Sequence, residues 1–193
     1  MAHNTTSARV RGHVQDMLAV ETELHEALRR QKNDAHLREV PQAHRLICRI
    51  EATIDRHLSA LRSAVSRFGE EESIVKKAVG GVMGAVAGMY ANLRSDTSAA
   101  RALRDDYAAL SFATICYEML HTTALAVGDK ETAEMALKHL AEYAPLIMAA
   151  SEEMPAIVID ELAAEGDVAA DPDIAVLAAK NTRGAWASAE SAA

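Results

Sequence analysis

The chain has 193 residues, half of them hydrophobic, 4% aromatic and 25% charged, with a net charge of −8. A chain of this length folds most simply as one domain that buries roughly two-thirds of its unfolded surface, with no disulfide or metal required merely to fold. The acidic balance, without any long unbroken run of Lys and Arg, excludes a nucleic-acid surface, and abundant alanine with few aromatic residues points to closely packed helices in an all-α fold.

The N-terminal stretch MAHNTTSARVRGH lacks an apolar run of signal-peptide length, so export through that end is not expected. A first helix is predicted from about Ser7 to Lys32, on a stripe of Val14, Met17, Glu21, Leu24 and Leu28 at spacings of three and four. A second follows Pro41, which suits a first helical turn, and stops at Phe68 and Gly69. Its stripe reads Ile47, Glu51, Ile54, Leu58, Leu61 and Val65. Glu21 and Glu51 thus stand inside apolar stripes, and a carboxylate on a core face must be protonated, paired with a cation or bound to metal. One glutamate from each of several helices pointing inward is how di-iron and di-manganese carboxylate bundles build their sites.

Glu70 to Ser73 reads as a connection to a helix from about Ile74 to Arg94, where Gly80, Gly84 and Gly88 lie four apart and suit close helix packing within the bundle or across a dimer. Ala78 to Leu93 is free of formal charge but shorter than the roughly 20 residues of a membrane span, and a membrane partner is not expected. Ser95 to Ser98 supply a turn and N-caps for a long helix ending at Val127 and Gly128, with Leu103, Tyr107, Leu110, Thr114, Tyr117, His121 and Ala124 along its seam. Asp129 caps a further helix, which Pro145 and Pro155 bend or divide. Residues 1–166 are thereby assigned to the bundle and 167–193 to a tail, in which Asp171 and Pro172 start a short helix, draped over the bundle or offered to a protein partner. Cys48 and Cys116 fall in apolar helical segments far apart, as buried free thiols of a reducing cytoplasm do.

Glu118 and His121 form a Glu-x-x-His pair, the spacing used in dimetal bundles, and His139 with Glu142 is a second i, i+3 pair beside Tyr143. His44 and Cys48 are too sparse for zinc, and no nucleophile elbow supports hydrolase chemistry.

From His13 to about Met154 the chain resembles the YciE/YciF group of bacterial ferritin-like stress proteins. The resemblance is carried by Val20-Glu21-Thr22-Glu23-Leu24-His25-Glu26-Ala27-Leu28 and by Glu51-Ala52-Thr53-Ile54. It continues through Asp105-Asp106-Tyr107 with Ser111-Phe112-Ala113-Thr114, and through the unit from Gly128-Asp129-Lys130 to Lys138-His139-Leu140. It implies a ferritin-like antiparallel four-helix bundle with additional helices, commonly dimeric, and a carboxylate-rich site for two iron or manganese ions. Glu21, Glu51, Asp105, Asp106, Glu118, His121, His139 and Glu142 are the candidate ligands. Ile54, Ala108 and Lys138 depart from the family's pattern at positions that offer ligands. Three readings stay open: a stress-related structural or interaction module with a degenerate or absent dimetal site; an active dimetal oxidase or peroxide-handling protein; and a helical adaptor. For Lys138 two placements follow, inward to neutralise Glu21 or Glu51, or outward in solvent.

Overall fold

In a computed structural model, residues 2–69, 98–166, 168–169 and 171–190 are described. Helix α1 spans Ala2–Asn33, a short α2 spans Ala35–Arg38, α3 spans Pro41–Arg67, α4 spans Ala99–Val127, α5 spans Lys130–Glu165 and α6 spans Pro172–Glu190. No strand occurs among the described residues. The glycine face of Gly80, Gly84 and Gly88 lies outside them.

Local chemistry sets the helix ends. The side chain of Asp34 accepts from the amides of His36 and Leu37 and caps α2; Pro41 occupies the first turn of α3. Ser98 accepts from Arg101 N and Asp129 from Thr132 N, satisfying first-turn amides of α4 and α5. Gly128 closes α4 with φ +76, a left-handed conformation that residues with a Cβ adopt at a cost. Of the two outcomes expected at Pro145 and Pro155, division does not occur: α5 runs through both as one helix. The helix expected to be short after Pro172 has 19 residues and packs on α5, with Arg183 reaching Glu152 at 3.1 Å.

Side-chain contacts give the directions. Lys32 meets Glu51, His25 meets Asp55 and Glu21 meets His57, so α1 and α3 are antiparallel. Glu21 meets Tyr117 and Gln31 meets Asp106, so α1 and α4 are antiparallel as well. Contacts of His57 with Glu142 and Arg67 with Thr132 make α3 antiparallel to α5, and Tyr117 with His139 and Ser98 with Glu161 do the same for α4 and α5. Among the described residues, α1, α3, α4 and α5 therefore form a ring in which α1 and α3 are one hairpin and α4 and α5 the other, while α3 and α4, on the diagonal, point the same way. Gly69 and Ser98 consequently lie at opposite ends of the bundle.

The core is built from Val14, Met17, Leu24 and Leu28 of α1, Ile47, Ile50, Ile54 and Leu61 of α3, Leu103, Leu110 and Leu120 of α4, and Ala136, Leu146 and Ala150 of α5. Burial of each large aliphatic side chain contributes about 1.5–3 kcal/mol against the entropy of folding. Among the described helices, α4 alone is long and apolar enough to cross a membrane. Its inner side packs on α1 and α5, while Ile115, Met119 and Leu125 remain exposed on its outer side.

Candidate functional site

Midway along the bundle, where aliphatic packing would be expected, each of the four helices turns a polar side chain inward. Glu21 of α1 and Tyr117 of α4 are 0% exposed, as is Tyr143 of α5; His57 of α3 and His139 of α5 are also buried. The Tyr117 hydroxyl donates to Glu21 Oε1 at 2.7 Å, and the Tyr143 hydroxyl lies 2.6 Å from each carboxylate oxygen. His57 Nδ1 adds a third donor to Oε1 at 3.3 Å, while its Nε2 faces Glu142 Oε2 at 3.3 Å. An ionised carboxylate only accepts, so with Glu21 and Glu142 ionised the His57 ring donates from both nitrogens.

The remaining protons follow from this arrangement. Tyr117 spends its hydrogen on Glu21, so its oxygen accepts from His139 Nδ1 at 2.9 Å. His139 stacks on His57 with ring centroids 3.8 Å apart and planes 8° from parallel. Burial, the neighbouring His57 and then Lys138 bring its pKa down to about 3, leaving a neutral ring. Burial and the Glu21 carboxylate push the Tyr117 phenol well above its ordinary value. For Glu142 burial acts upward, but Arg56 and His57 outweigh it and lower the pKa. Glu142, with 27% of its side chain exposed and Arg56 at 3.1 Å, joins the buried cluster to the surface.

Of the residues expected from sequence, the structure brings Glu21, His139 and Glu142 together and disperses the others. Glu51 is paired with Lys32 at 2.6 Å, about two turns along α3 from His57. Asp106 accepts from Gln31, and Asp105 is held by Arg104 at 2.7 Å, both about 15 Å along the bundle from Glu21. Glu118 is exposed on the outside of α4, and His121 Nδ1 lies 2.8 Å from the Ala133 carbonyl oxygen. Glu118 and His121 therefore do not act as a pair. Lys138 takes the solvent-facing alternative: its side chain is 72% exposed and 3.8 Å from Glu142. Cys48 and Cys116 are free but only half-buried. His57 was missed, although it lies three residues after Ile54 and four before Leu61, on the buried side of α3.

A dimetal bundle takes a Glu from each of two helices and a Glu-x-x-His pair from each of the other two. This cluster offers Glu21 from α1, Ile54 and His57 at that spacing from α3, Tyr117 from α4, and His139 and Glu142 in reversed order from α5. Two carboxylates and two imidazoles are present where four and two are needed. Among the described residues no group of three or more His, Cys, Asp and Glu side chains is arranged to hold a metal ion. The donor set does not fit two metals.

Residues 12–163 match the family described as Domain of unknown function (DUF892). No curated protein and no solved structure matches the chain significantly.

Proposed function

The chain belongs to the DUF892 family, and from that premise we propose that it is a ferritin-like protein that works as a structural or interaction module without a dimetal centre. The ring of two antiparallel hairpins with same-direction α3 and α4 is the topology of a bundle with a single long crossover, which supports the ferritin-like reading. One observation carries the rest: Glu21 already accepts from Tyr117, Tyr143 and His57, so its charge and lone pairs are satisfied by protein donors. A cation entering the cluster would have to displace these donors, and Ile54 and Tyr117 supply no carboxylate to receive it. The exposed apolar residues of α4 support the interaction part of the reading.

Elemental analysis of the purified protein tests this. The expected result is no stoichiometric iron, manganese or zinc, and a melting temperature unchanged by chelator or added Mn(II). Stoichiometric metal would overturn the proposal.

A further inference from the structure

A buried tyrosine hydroxyl usually finds one hydrogen-bond partner; here two tyrosines direct theirs to one buried carboxylate. The Tyr117 hydroxyl has an acceptor, Glu21 Oε1 at 2.7 Å, and a separate donor to its oxygen, His139 Nδ1 at 2.9 Å. Its ring is fully enclosed, 6.0 Å from that of Tyr143 and 5.9 Å from that of His57. A merely structural tyrosine requires one hydrogen bond. A phenol set between a base and a donor has what one-electron chemistry needs.

Resting on the metal-free reading, we propose that Tyr117 is a one-electron donor, with Glu21 as proton acceptor and His139 as the group that holds the radical oxygen. The oxidant, of the peroxyl-radical class, takes one electron from the phenol by transfer through the protein. The phenolic O–H bond breaks, an O–H bond forms on the Glu21 carboxylate, and the reduced oxidant leaves as an anion protonated by solvent. Proton transfer keeps the oxidised ring neutral, avoiding the cost of a cation in a low-dielectric core. The acceptor already stands within hydrogen-bond reach, as a positioned base must. After the transfer His139 still donates to the oxygen, and the enclosure keeps the phenols of other molecules away from the radical.

The test is oxidation of the full chain with hexachloroiridate(IV), rapid freezing and electron paramagnetic resonance, with elemental analysis of the same sample. A persistent neutral tyrosyl radical is expected, lost in Tyr117→Phe and retained in Tyr107→Phe and Tyr143→Phe. In His139→Leu, which has no donor, the radical should remain with its largest g value raised by the lost hydrogen bond, a change a structural role would not produce. Deuterated tyrosine in the wild type shows that the spin sits on a tyrosine, and its retention in Tyr90→Phe as in Tyr107→Phe and Tyr143→Phe leaves Tyr117 as the carrier even if Tyr117→Phe does not fold. A metal-free sample with no persistent signal, or a signal that survives in folded Tyr117→Phe, would overturn the assignment. Stoichiometric metal would remove the reading on which it rests and the assignment with it.

Discussion

Glu21 draws its stability from donors rather than from a cation alone. Three hydrogen-bond donors converge on a carboxylate with no solvent contact, so each one removed leaves part of a buried charge unsatisfied. Tyr143→Phe should cost about 1.5–3 kcal/mol, the range for a hydrogen bond to a charged group. Glu21→Gln should cost more, roughly 3–5 kcal/mol, because the amide keeps one acceptor oxygen but turns its NH2 toward donors and leaves His57 short of a counter-ion. Denaturant melts of the two variants check the order; a Glu21→Gln protein as stable as the wild type would mean that the carboxylate is not holding the cluster together. At this scale Glu21 was legible because a charge inside an apolar stripe is conspicuous. His57 is not, since Leu58 beside it already fills that turn of the stripe, and a histidine at the edge of an apolar stripe reads equally well as surface.

At the scale of the element, what decides the site is helix phase. The Glu118 and His121 spacing is correct for a metal pair, but α4 is apolar on nearly every side, so its sequence does not specify which face turns inward. Tyr117 faces the core, and Glu118, one residue on, faces solvent. The segment Asp105-Asp106 was drawn in by resemblance, and α4 carries it to the far end of the bundle, against Gln31 and Arg104. Of the two effects expected of Pro145 and Pro155, bending or dividing α5, division does not occur: tertiary packing of Tyr143, Leu146, Ala150 and Ile157 outweighs the lost backbone bonds. If side-chain identity alone keeps metal out, Ile54→Glu with Tyr117→Glu should create the missing carboxylates on α3 and α4. The double variant is expected to be destabilised as purified and to rise in melting temperature with Mn(II) or Fe(II), as metal-coupled folding requires. The wild type should not respond, and a double variant equally indifferent would show that the backbone spacing also fails the site.

Acid should act on the whole molecule through its centre. His139 has a pKa of about 3 in the fold and near its ordinary 6.5 when unfolded, so between those values the unfolded chain binds the extra proton. Stability is therefore full above the unfolded value and is lost as pH falls, by about 1.4 kcal/mol for each unit across the window. Glu142, whose pKa is also lowered, adds a loss of the same sign as it titrates in acid. Urea melts from pH 7 to 4 should show the decline, and His139→Gln should flatten it; an identical slope in the variant would exclude His139 as the cause. The all-helical plan, the positions of the long helices and the turn at Gly128 were legible because period, caps and glycine act locally. How the helices meet was not, because it depends on contacts between residues up to 122 positions apart, such as Glu21 with Tyr143.

The opposite placement of Gly69 and Ser98 divides the polar cluster as well as the chain. One hairpin contributes Glu21 and His57, the other Tyr117, His139, Glu142 and Tyr143, so neither half can satisfy its own buried groups. Chain scission between Gly69 and Ser98 would thus yield two complementary fragments rather than two independent modules. Co-expressed, fragments 1–69 and 98–193 should assemble into a one-to-one heterodimer, whereas each alone should be poorly folded by circular dichroism. The hydrogen bonds of Glu21 would then serve as a password between halves, and Tyr117→Phe with Tyr143→Phe on one fragment should weaken its recognition of the other.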